Sequence, residues 1–286
     1  FENIWIQPAA GDAGGALGAA LSVWHRYLNE ERYITEKQDS QRGSYLGPVF
    51  SNNEIKNFLD NNQYPYHLLP QDARAHIIAK QIAAGKILGY MAGRMEFGPR
   101  ALGARSILGD PRNPETQSVM NLKIKYRESF RPFAPSVIME RVSEYFDTNE
   151  PSPYMLLVAK VRKERCFPQP SSNGLGILER LNFKRSDMPA VTHIDYSARI
   201  QTVSQKDKPD YYAVISEFEK LTGCAVIVNT SFNIRGEPIV CTPEDAYKCF
   251  MRTKMDVLVM EDCILYKEEQ PQWKETEEWK NDLILD

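Results

Sequence analysis

The sequence has no apolar run long enough to cross a bilayer, since the longest runs, such as 225–228 and 257–260, are far shorter than a membrane-spanning helix requires. It also lacks the basic and then apolar opening of a secretory signal peptide. From these absences we expect a cytoplasmic protein with no membrane partner. The first residue is Phe1 rather than methionine, and we therefore expect the chain to be a piece of a longer protein.

Cysteine is scarce, and its spacing forms no recognisable pattern. The five cysteines are odd in number and include no CxxC pair, which argues against both a disulfide framework and a zinc site. We therefore expect most of them to be buried thiols in a reducing compartment.

Positive charge is not in excess either. The formal net charge is −3 and the pI is about 5.9, so the whole molecule has no field suited to nucleic acid or to an anionic membrane. Any anion site must therefore be local. The 286 residues, with 42% hydrophobic and 26% charged side chains, are typical of a soluble globular protein of one or two domains.

Helices and strands alternate along the chain. A strand over 4–7, a glycine-rich loop and a helix over 16–28 form the first unit, and the polar stretch 29–56 is a predicted linker. A helix from Asp72 to Gly85 and a strand over 86–91 come next. The remaining predicted elements are a helix over 209–223, a strand over 224–228, a helix that begins at Thr242, and strands over 257–260 and 263–266.

The segment from Arg94 to Arg131 carries a net positive charge in a chain whose net charge is negative. It has eight Lys or Arg against four Asp or Glu. It opens with GRMEFGPRALGARS at 93–106, where glycines let backbone N–H groups approach an anion and arginines can fork onto phosphate oxygens. A solvated charged face is the alternative. Phe97 and Pro99 interleave with the cations and favour the phosphate site. The candidate phosphate-binding cations are Arg100, Arg105, Lys123, Lys125 and Arg131.

A second cluster, THIDYSAR at 192–199, predicts an alternating strand that places His193, Asp195 and Arg199 at related positions. His193 titrates close to neutral pH and is a candidate acid or base. A hydrogen-bonded structural histidine is the alternative interpretation.

A third cluster, NTSFN at 229–233, follows a buried strand, where open α/β sheets commonly bind ligands. Thr230, Ser231 and Asn233 are therefore candidate anion ligands, although a turn that caps the strand explains them equally well. Asp12, within the glycine-rich loop, is either a metal ligand or a helix cap.

These segments, in this order, resemble the O-carbamoyltransferase family of nodulation and of cephalosporin and tobramycin tailoring. The residues that carry the resemblance are MEFGPRALG at 95–103, NLKIK at 121–125, RESFRPFAP at 127–135 and NTSFN at 229–233. The resemblance covers nearly the whole chain, apart from 160–190 and the tail. Tyr196 departs from the family pattern, in which glycine commonly follows His-x-Asp.

The resemblance implies an α/β (α+β) fold in two parts. Residues 1–50 correspond to the C-terminal end of an ASKHA-type domain, a strand-loop-helix remnant, with a linker. Residues 51–286 correspond to a YrdC-like domain, a twisted sheet with flanking helices.

The resemblance also implies a chemistry. The YrdC-like domain is expected to convert carbamoyl phosphate and ATP to carbamoyl adenylate, and the ASKHA-type domain to pass the carbamoyl group to a hydroxyl of a small-molecule acceptor. Cations in such a site stabilise the charge that develops on transferring oxygens. The residues expected around carbamoyl phosphate and the adenylate are Arg100, Lys125, Arg131, Arg199 and Ser231.

By the same resemblance, Asp12 matches the metal-binding aspartate of the ASKHA-type domain. The expected cofactors are therefore ATP and a divalent metal, magnesium or iron, with the histidine ligands of the iron upstream of this chain. A homodimer is the oligomeric state that the family suggests.

Two other functions fit parts of the pattern. One is a YrdC-like threonylcarbamoyl-adenylate synthase acting in tRNA modification, which the acidic balance and the ASKHA-type residues oppose. The other is a nucleotide- or phosphate-binding module without turnover. Release of pyrophosphate from ATP that depends on carbamoyl phosphate would separate the enzyme from the module.

Overall fold

The computed structural model of the chain describes residues 6–9, 11–33, 41–168, 176 and 183–273, with the side chain of Asp12 outside the description. Its strands are β1 (His67–Leu68), β2 (Leu88–Met91), β3 (Arg105–Gly109), β4 (Ala134–Ile138), β5 (Val158–Lys160), β6 (Ser197–Arg199), β7 (Gln201–Val203), β8 (Val226–Ser231), β9 (Val257–Met260) and β10 (Cys263–Tyr266).

Eight of these strands form a mixed central sheet in the order β1-β10-β9-β2-β3-β8-β4-β7, and β5 pairs with β6 in a small second sheet. The pairs β2–β9 and β4–β7 are parallel, and the other neighbours are antiparallel. Because β3 runs antiparallel to both β2 and β8, the strands β2, β8 and β9 share one direction. Their C-terminal ends therefore lie at the same edge of the sheet.

Helices pack against this sheet. The α-helices of the described residues are α1 (Asp12–Ser22), α2 (Asn52–Asn61), α3 (Arg74–Ala83), α4 (Pro114–Met120), α5 (Val142–Tyr145), α6 (Pro209–Thr222) and α7 (Pro243–Arg252). Helix α3 packs against α6, and α7 contacts β2 and β9. Apolar side chains from the sheet and from the helices other than α1 form the main buried core, and Leu102, Ala134 and Met155 form a smaller cluster.

Local sequence signals explain several element boundaries. Helix α7 begins after Thr242, whose side chain accepts from the N–H of Asp245 while the Asp245 carboxylate accepts from the N–H of Thr242. Helix α6 ends at Gly223, which has a φ of 72° in the left-handed region that favours glycine. The predicted strands 257–260 and 263–266 coincide with β9 and β10. The α/β class is confirmed.

Other predictions need correction or stay open. Helix α1 begins at Asp12 rather than at 16, and a π-helical turn over Val23–Tyr27 continues it. The predicted strand 4–7 falls mostly outside the described residues. Within the predicted linker, the backbone of Ser44 accepts from Phe97 and the N–H of Gly47 donates to Met95. The division at residue 50 stays a prediction.

Candidate anion-binding site

A cavity of about 140 Å³ lies at the C-terminal end of β8. Strand β8 runs between β3 and β4, so the loops that precede both neighbours reach this end of the sheet. Cationic and polar side chains line most of the cavity. They are Arg100, Arg127, Arg199, Asn229, Thr230 and Ser231, with Pro99, Ala101, Pro132, Phe133, Ala134 and Met155 completing the wall.

Arg100 and Arg199 bring guanidinium groups that are not fully satisfied by the protein. The Nε atom of each is buried, and neither has a hydrogen-bond partner among the residues that the structure describes. Burial lowers the pKa of Arg199, and the positive charge of Arg100 lowers it further. Unused N–H donors on two arginines of one cavity are what an anion with several oxygens would satisfy. This pair is the clearest sign of a ligand in the described residues.

A third arginine, Arg127, enters the same cavity with its position fixed by neighbours. Its Nε donates to Asn121 Oδ1 at 2.7 Å, and its guanidinium lies 5.0 Å from the centre of the Phe133 ring. Asn121 is fully buried and donates in turn to the carbonyls of Ser129 and Arg131. The apolar residues that interleave with the cations therefore hold at least this one in place.

A buried carboxylate organises the loop that carries Arg100. Glu96 Oε1 accepts from the backbone N–H groups of Leu102 at 2.7 Å, Ala104 at 2.7 Å and Arg105 at 3.3 Å. Three bonds to one oxygen tie the backbone after Arg100 to Glu96 and so close the loop over 97–101. Glu96 thus acts on the site through the backbone.

The glycines of this loop do not act as predicted. The N–H of Gly103 donates to Ser106 Oγ, and the N–H of Gly93 donates to the Glu261 carboxylate, so at both positions the proposed backbone cradle for an anion is wrong. Gly103 is needed for another reason. Its φ is +101°, and a Cβ there would lie 2.3 Å from the ring of Tyr211. The candidate anion site therefore depends on side chains rather than on the N–H groups of Gly93 and Gly103.

Lys125 lies beside the cavity, where it fixes the residues after β8. Its buried ammonium donates to Asn233 Oδ1 at 2.7 Å, to Asn233 O at 3.0 Å, and to both the backbone oxygen and the Oγ of Ser231. Ser231 Oγ donates to Asn233 Oδ1 at 2.7 Å. Burial lowers the pKa of Lys125 to about 7. Lys125 and Asn233 therefore position Ser231, which reaches the cavity.

Three other predicted cations are not part of the cavity lining. Arg105 is fully buried, and its guanidinium donates to the carbonyls of Gly93, Ala104, Cys241 and Pro48. Lys123 is exposed and lines a separate cavity of about 630 Å³. Arg131 forms an ion pair with Glu128 at 2.9 Å.

His193 lies in a turn rather than in the predicted strand, because β6 begins only at Ser197. The N–H of Tyr196 donates to the carbonyl of His193, and Tyr196 has a φ of 62°, the conformation that a glycine adopts most easily. Burial lowers the pKa of His193. His193 lines a neighbouring cavity of about 350 Å³, which shares Pro132 with the first.

The predictions about metals and thiols have different outcomes. The side chain of Asp12 lies outside the described residues, so its metal role stays a prediction. In the described part of the chain, no group of three or more His, Cys, Asp or Glu side chains could hold a metal ion. All five cysteines are free, and Cys224, Cys249 and Cys263 are buried, as expected.

Four residues predicted from the sequence line the cavity, namely Arg100, Arg199, Thr230 and Ser231. Three residues that line or support it were not predicted, namely Asn229, Arg127 and Glu96. Asn229 had a usable signal, since it stands two residues before Ser231 and so shares its strand face. Glu96 had another, as the one carboxylate in a run of glycines and arginines. Arg127 had no signal that distinguishes it from the cations around it.

The fold and the cavity together define an α/β protein in which three arginines line one cavity at the end of a central strand. A family model described as the carbamoyltransferase C-terminus matches residues 79–267. The chain therefore belongs to the carbamoyltransferase family, of which it carries the C-terminal part, and the resemblance seen in its motifs is confirmed.

Individual relatives agree with this family. The whole chain is 58% identical to the uncharacterized protein sll1178 of Synechocystis sp. and covers 47% of it. Over 91% of its length it is 41% identical to nodulation protein NolO of Bradyrhizobium diazoefficiens, of which it covers 44%. The chain thus spans about half the length of the curated relatives it matches.

The solved structure of full-length HypF in its phosphate- and nucleotide-bound form is a more distant match. It gives a TM-score of 0.42 at 18% identity, over 72% of this chain and 23% of that chain. A likeness of this size supports no functional inference.

Proposed function

We propose that this chain binds carbamoyl phosphate and ATP and forms carbamoyl adenylate, as part of an ATP-dependent enzyme that carbamoylates a hydroxyl group of a small molecule. The observation that carries the proposal is the pair of buried, unpartnered Nε donors on Arg100 and Arg199 beside Thr230 and Ser231. Family membership supplies the class of group transferred, and the arginine pair supplies the reason for a phosphate.

The size of the cavity favours a small anion. A space of about 140 Å³ suits a phosphate with a short acyl group, whereas a nucleotide needs more room. The adjoining cavity of about 350 Å³ offers that room, and His193 would face the nucleotide there. In this arrangement, His193 is the candidate acid or base and Lys125 holds Ser231 against the substrate.

The proposed reaction has two steps. Water cleaves carbamoyl phosphate to carbamate and orthophosphate, a carbamate oxygen then bonds to the α-phosphorus of ATP, and the bond to pyrophosphate breaks. Arg100 and Arg199 stabilise the negative charge on the phosphoryl oxygens as these bonds change. Magnesium would arrive with ATP, since the described residues do not form a group of metal ligands of their own.

Release of pyrophosphate from ATP by the 286-residue chain, with and without carbamoyl phosphate, tests the proposal. We expect release that depends on carbamoyl phosphate and is lost in Arg100→Met. Binding of carbamoyl phosphate without any release would instead indicate a module that binds the anion and leaves turnover to other parts of a longer protein. No binding of carbamoyl phosphate at all would refute the assignment of the cavity.

A further inference from the structure

Asn229 adds a buried hydrogen-bond acceptor without a partner in the described residues to the side chains that line the cavity. Its side chain is 1% exposed and lines the cavity together with Arg100 and Arg199. Its Oδ1 atom is buried and has no hydrogen-bond partner in the part of the chain that the structure describes. A buried carbonyl oxygen without a partner destabilises a protein, so its persistence beside a ligand cavity indicates that the ligand supplies a donor.

The identity of the unpartnered atom is fixed by the other side of the amide. Asn229 Nδ2 donates to the carbonyl of Ala101 at 3.0 Å and to Gln201 Oε1 at 2.8 Å. A backbone carbonyl can only accept, so the atom that faces Ala101 must be the NH₂ group. The remaining atom, which faces away from these two partners, is therefore the oxygen.

The orientation of Gln201 is fixed in the same way. Its Nε2 donates to the carbonyl of Leu102 at 2.8 Å, while its Oε1 accepts from Ser136 Oγ at 2.6 Å and from Asn229. Two adjacent carbonyls of the loop that carries Arg100 thus hold both amides. Asn229 cannot exchange the positions of its oxygen and its NH₂ group without losing both hydrogen bonds. Its oxygen is therefore a preorganised acceptor.

An acceptor in this place cannot form a hydrogen bond with a fully ionised phosphate group, because that group has no hydrogen to donate and the two oxygens repel each other. Carbamoyl phosphate carries hydrogen-bond donors at one end only, the N–H groups of its carbamoyl part. Acetyl phosphate has the same phosphate and carbonyl, with a methyl group where the NH₂ stands. The two differ at the atom that Asn229 would contact.

We propose that Asn229 Oδ1 selects the carbamoyl group by accepting a hydrogen bond from its NH₂, while Arg100 and Arg199 hold the phosphate. The site then discriminates against acyl phosphates that lack an N–H, since such a ligand would leave the buried oxygen unsatisfied. This inference rests on the proposed function and adds the determinant of substrate choice.

The wild-type chain tests the inference without any mutation. Phosphonoacetamide and acetonylphosphonate are stable phosphonates that share a phosphonate and a carbonyl and differ as NH₂ against CH₃. Calorimetric titration is expected to show at least about tenfold tighter binding of phosphonoacetamide, the fold-change that one net hydrogen bond gives. Equal affinities would overturn the selection by Asn229.

A pair of variants locates the preference. Asn229→Ala is expected to bring the two phosphonates within about twofold of each other, because no acceptor is left to distinguish them. Gln201→Met is the matched control, since it removes one of the two acceptors of the Asn229 NH₂ group and keeps the other, the Ala101 carbonyl, which still fixes the orientation of the amide. It is expected to keep the preference for phosphonoacetamide even if both affinities fall. A preference that survives in Asn229→Ala contradicts the inference, and a purely structural role of Asn229 would change both affinities equally.

The outcomes separate this inference from the function on which it rests. If the wild-type chain binds both phosphonates and carbamoyl phosphate without preference for the amide, the selection fails and the anion site stands. If it binds none of the three, the anion site and the selection fail together.

Discussion

Two groups of cations lie within the same basic segment or contact it, and they are used differently. Arg100 and Arg199 line a cavity and keep buried N–H donors without a partner among the described residues. Arg105 and Lys125 are more deeply buried, and their donors are occupied by oxygens of the protein. The comparison teaches that the number of positive charges in a sequence says little about ligand binding. What matters is which donors the fold has already used.

The difference follows from the hydrogen-bond acceptors that surround each side chain. Arg105 belongs to β3, and its guanidinium donates to backbone carbonyls from distant parts of the chain, including those of Pro48 and Cys241. Arg100 lies on a loop that the Glu96 carboxylate closes, next to Pro99, and its Nε has no hydrogen-bond partner among the described residues. Arg199 also belongs to a strand, as the last residue of β6, so the oxygens around a side chain, and not its place on a strand or a loop, decide whether its donors are used.

The largest effect is expected when Arg105 is replaced. Arg105→Met removes a buried guanidinium that donates to four backbone carbonyls, of which Ala104 and Pro48 keep a backbone N–H donor, and we expect the free energy of unfolding to fall by about 3 kcal/mol. Urea denaturation measures it. Arg94→Met is the control, because Arg94 is exposed and its one hydrogen bond, to the Gly47 carbonyl, lies at the surface. A loss below about 1 kcal/mol for Arg105→Met would remove the distinction between the two groups.

The opposite result is expected at Arg199. Arg199→Met removes a cation on which the charge of Arg100 acts, so the free energy of unfolding should stay within about 0.5 kcal/mol of the wild type or rise. Carbamoyl phosphate affinity should fall about 100-fold, the equivalent of about 2.7 kcal/mol, because a charged hydrogen-bond donor is lost. Calorimetry and urea denaturation on the same samples check both halves. Unchanged affinity would show that Arg199 does not contact the anion.

A smaller effect should appear in the pH dependence of stability through Lys125. Burial lowers its pKa from the ordinary 10.5 to about 7, so between these values the unfolded chain holds a proton that the folded chain lacks. The free energy of unfolding therefore rises with pH in this window, and the penalty is complete below pH 7. We expect a rise of about 1–2 kcal/mol between pH 7 and pH 9.

Lys125→Met isolates that contribution. Lys267, whose pKa burial also lowers to about 7, is present in both proteins and cancels in the difference. Urea denaturation at pH 7, 8 and 9 should give a flatter profile for the variant. Parallel profiles would mean that Lys125 stays protonated in the folded chain, held by the oxygens of Ser231 and Asn233.

The smallest effect is expected at Lys123. The sequence predicts that Lys123 binds phosphate, whereas the fold places it on an exposed turn that lines another cavity. Lys123→Ala should change carbamoyl phosphate affinity by less than about twofold, because an exposed and distant charge is screened by solvent. Titration at low and moderate salt provides the measurement. A larger loss would extend the anion site beyond the residues that line its cavity.

Much of the fold could be predicted because its signals are local. Apolar runs gave β9 and β10 with the observed bounds, and Pro209 with Gly223 gave both ends of α6. The turn around His193 was missed because alternating residues imitate a strand, although the glycine that the family commonly has at the position of Tyr196 indicates the left-handed backbone found there. For the site, the cationic segment and NTSFN were found. The division of the cations into two groups was not, since it depends on partners far along the chain.

By itself, the sequence determined the α/β class, the family, and a pool of charged and polar residues from which an anion site could be made. Helix ends, strand runs and motifs are properties of neighbouring residues, and they are readable one after another. Only the tertiary structure decided which cations of that pool remain available. Arg105 donates to the carbonyls of Pro48 and Cys241, and Lys125 donates to Asn233. Arg100 and Arg199 instead lie near enough for the charge of one to lower the pKa of the other. The physical reason is that a charge belongs to its side chain, whereas its hydrogen-bond partners are supplied by the fold.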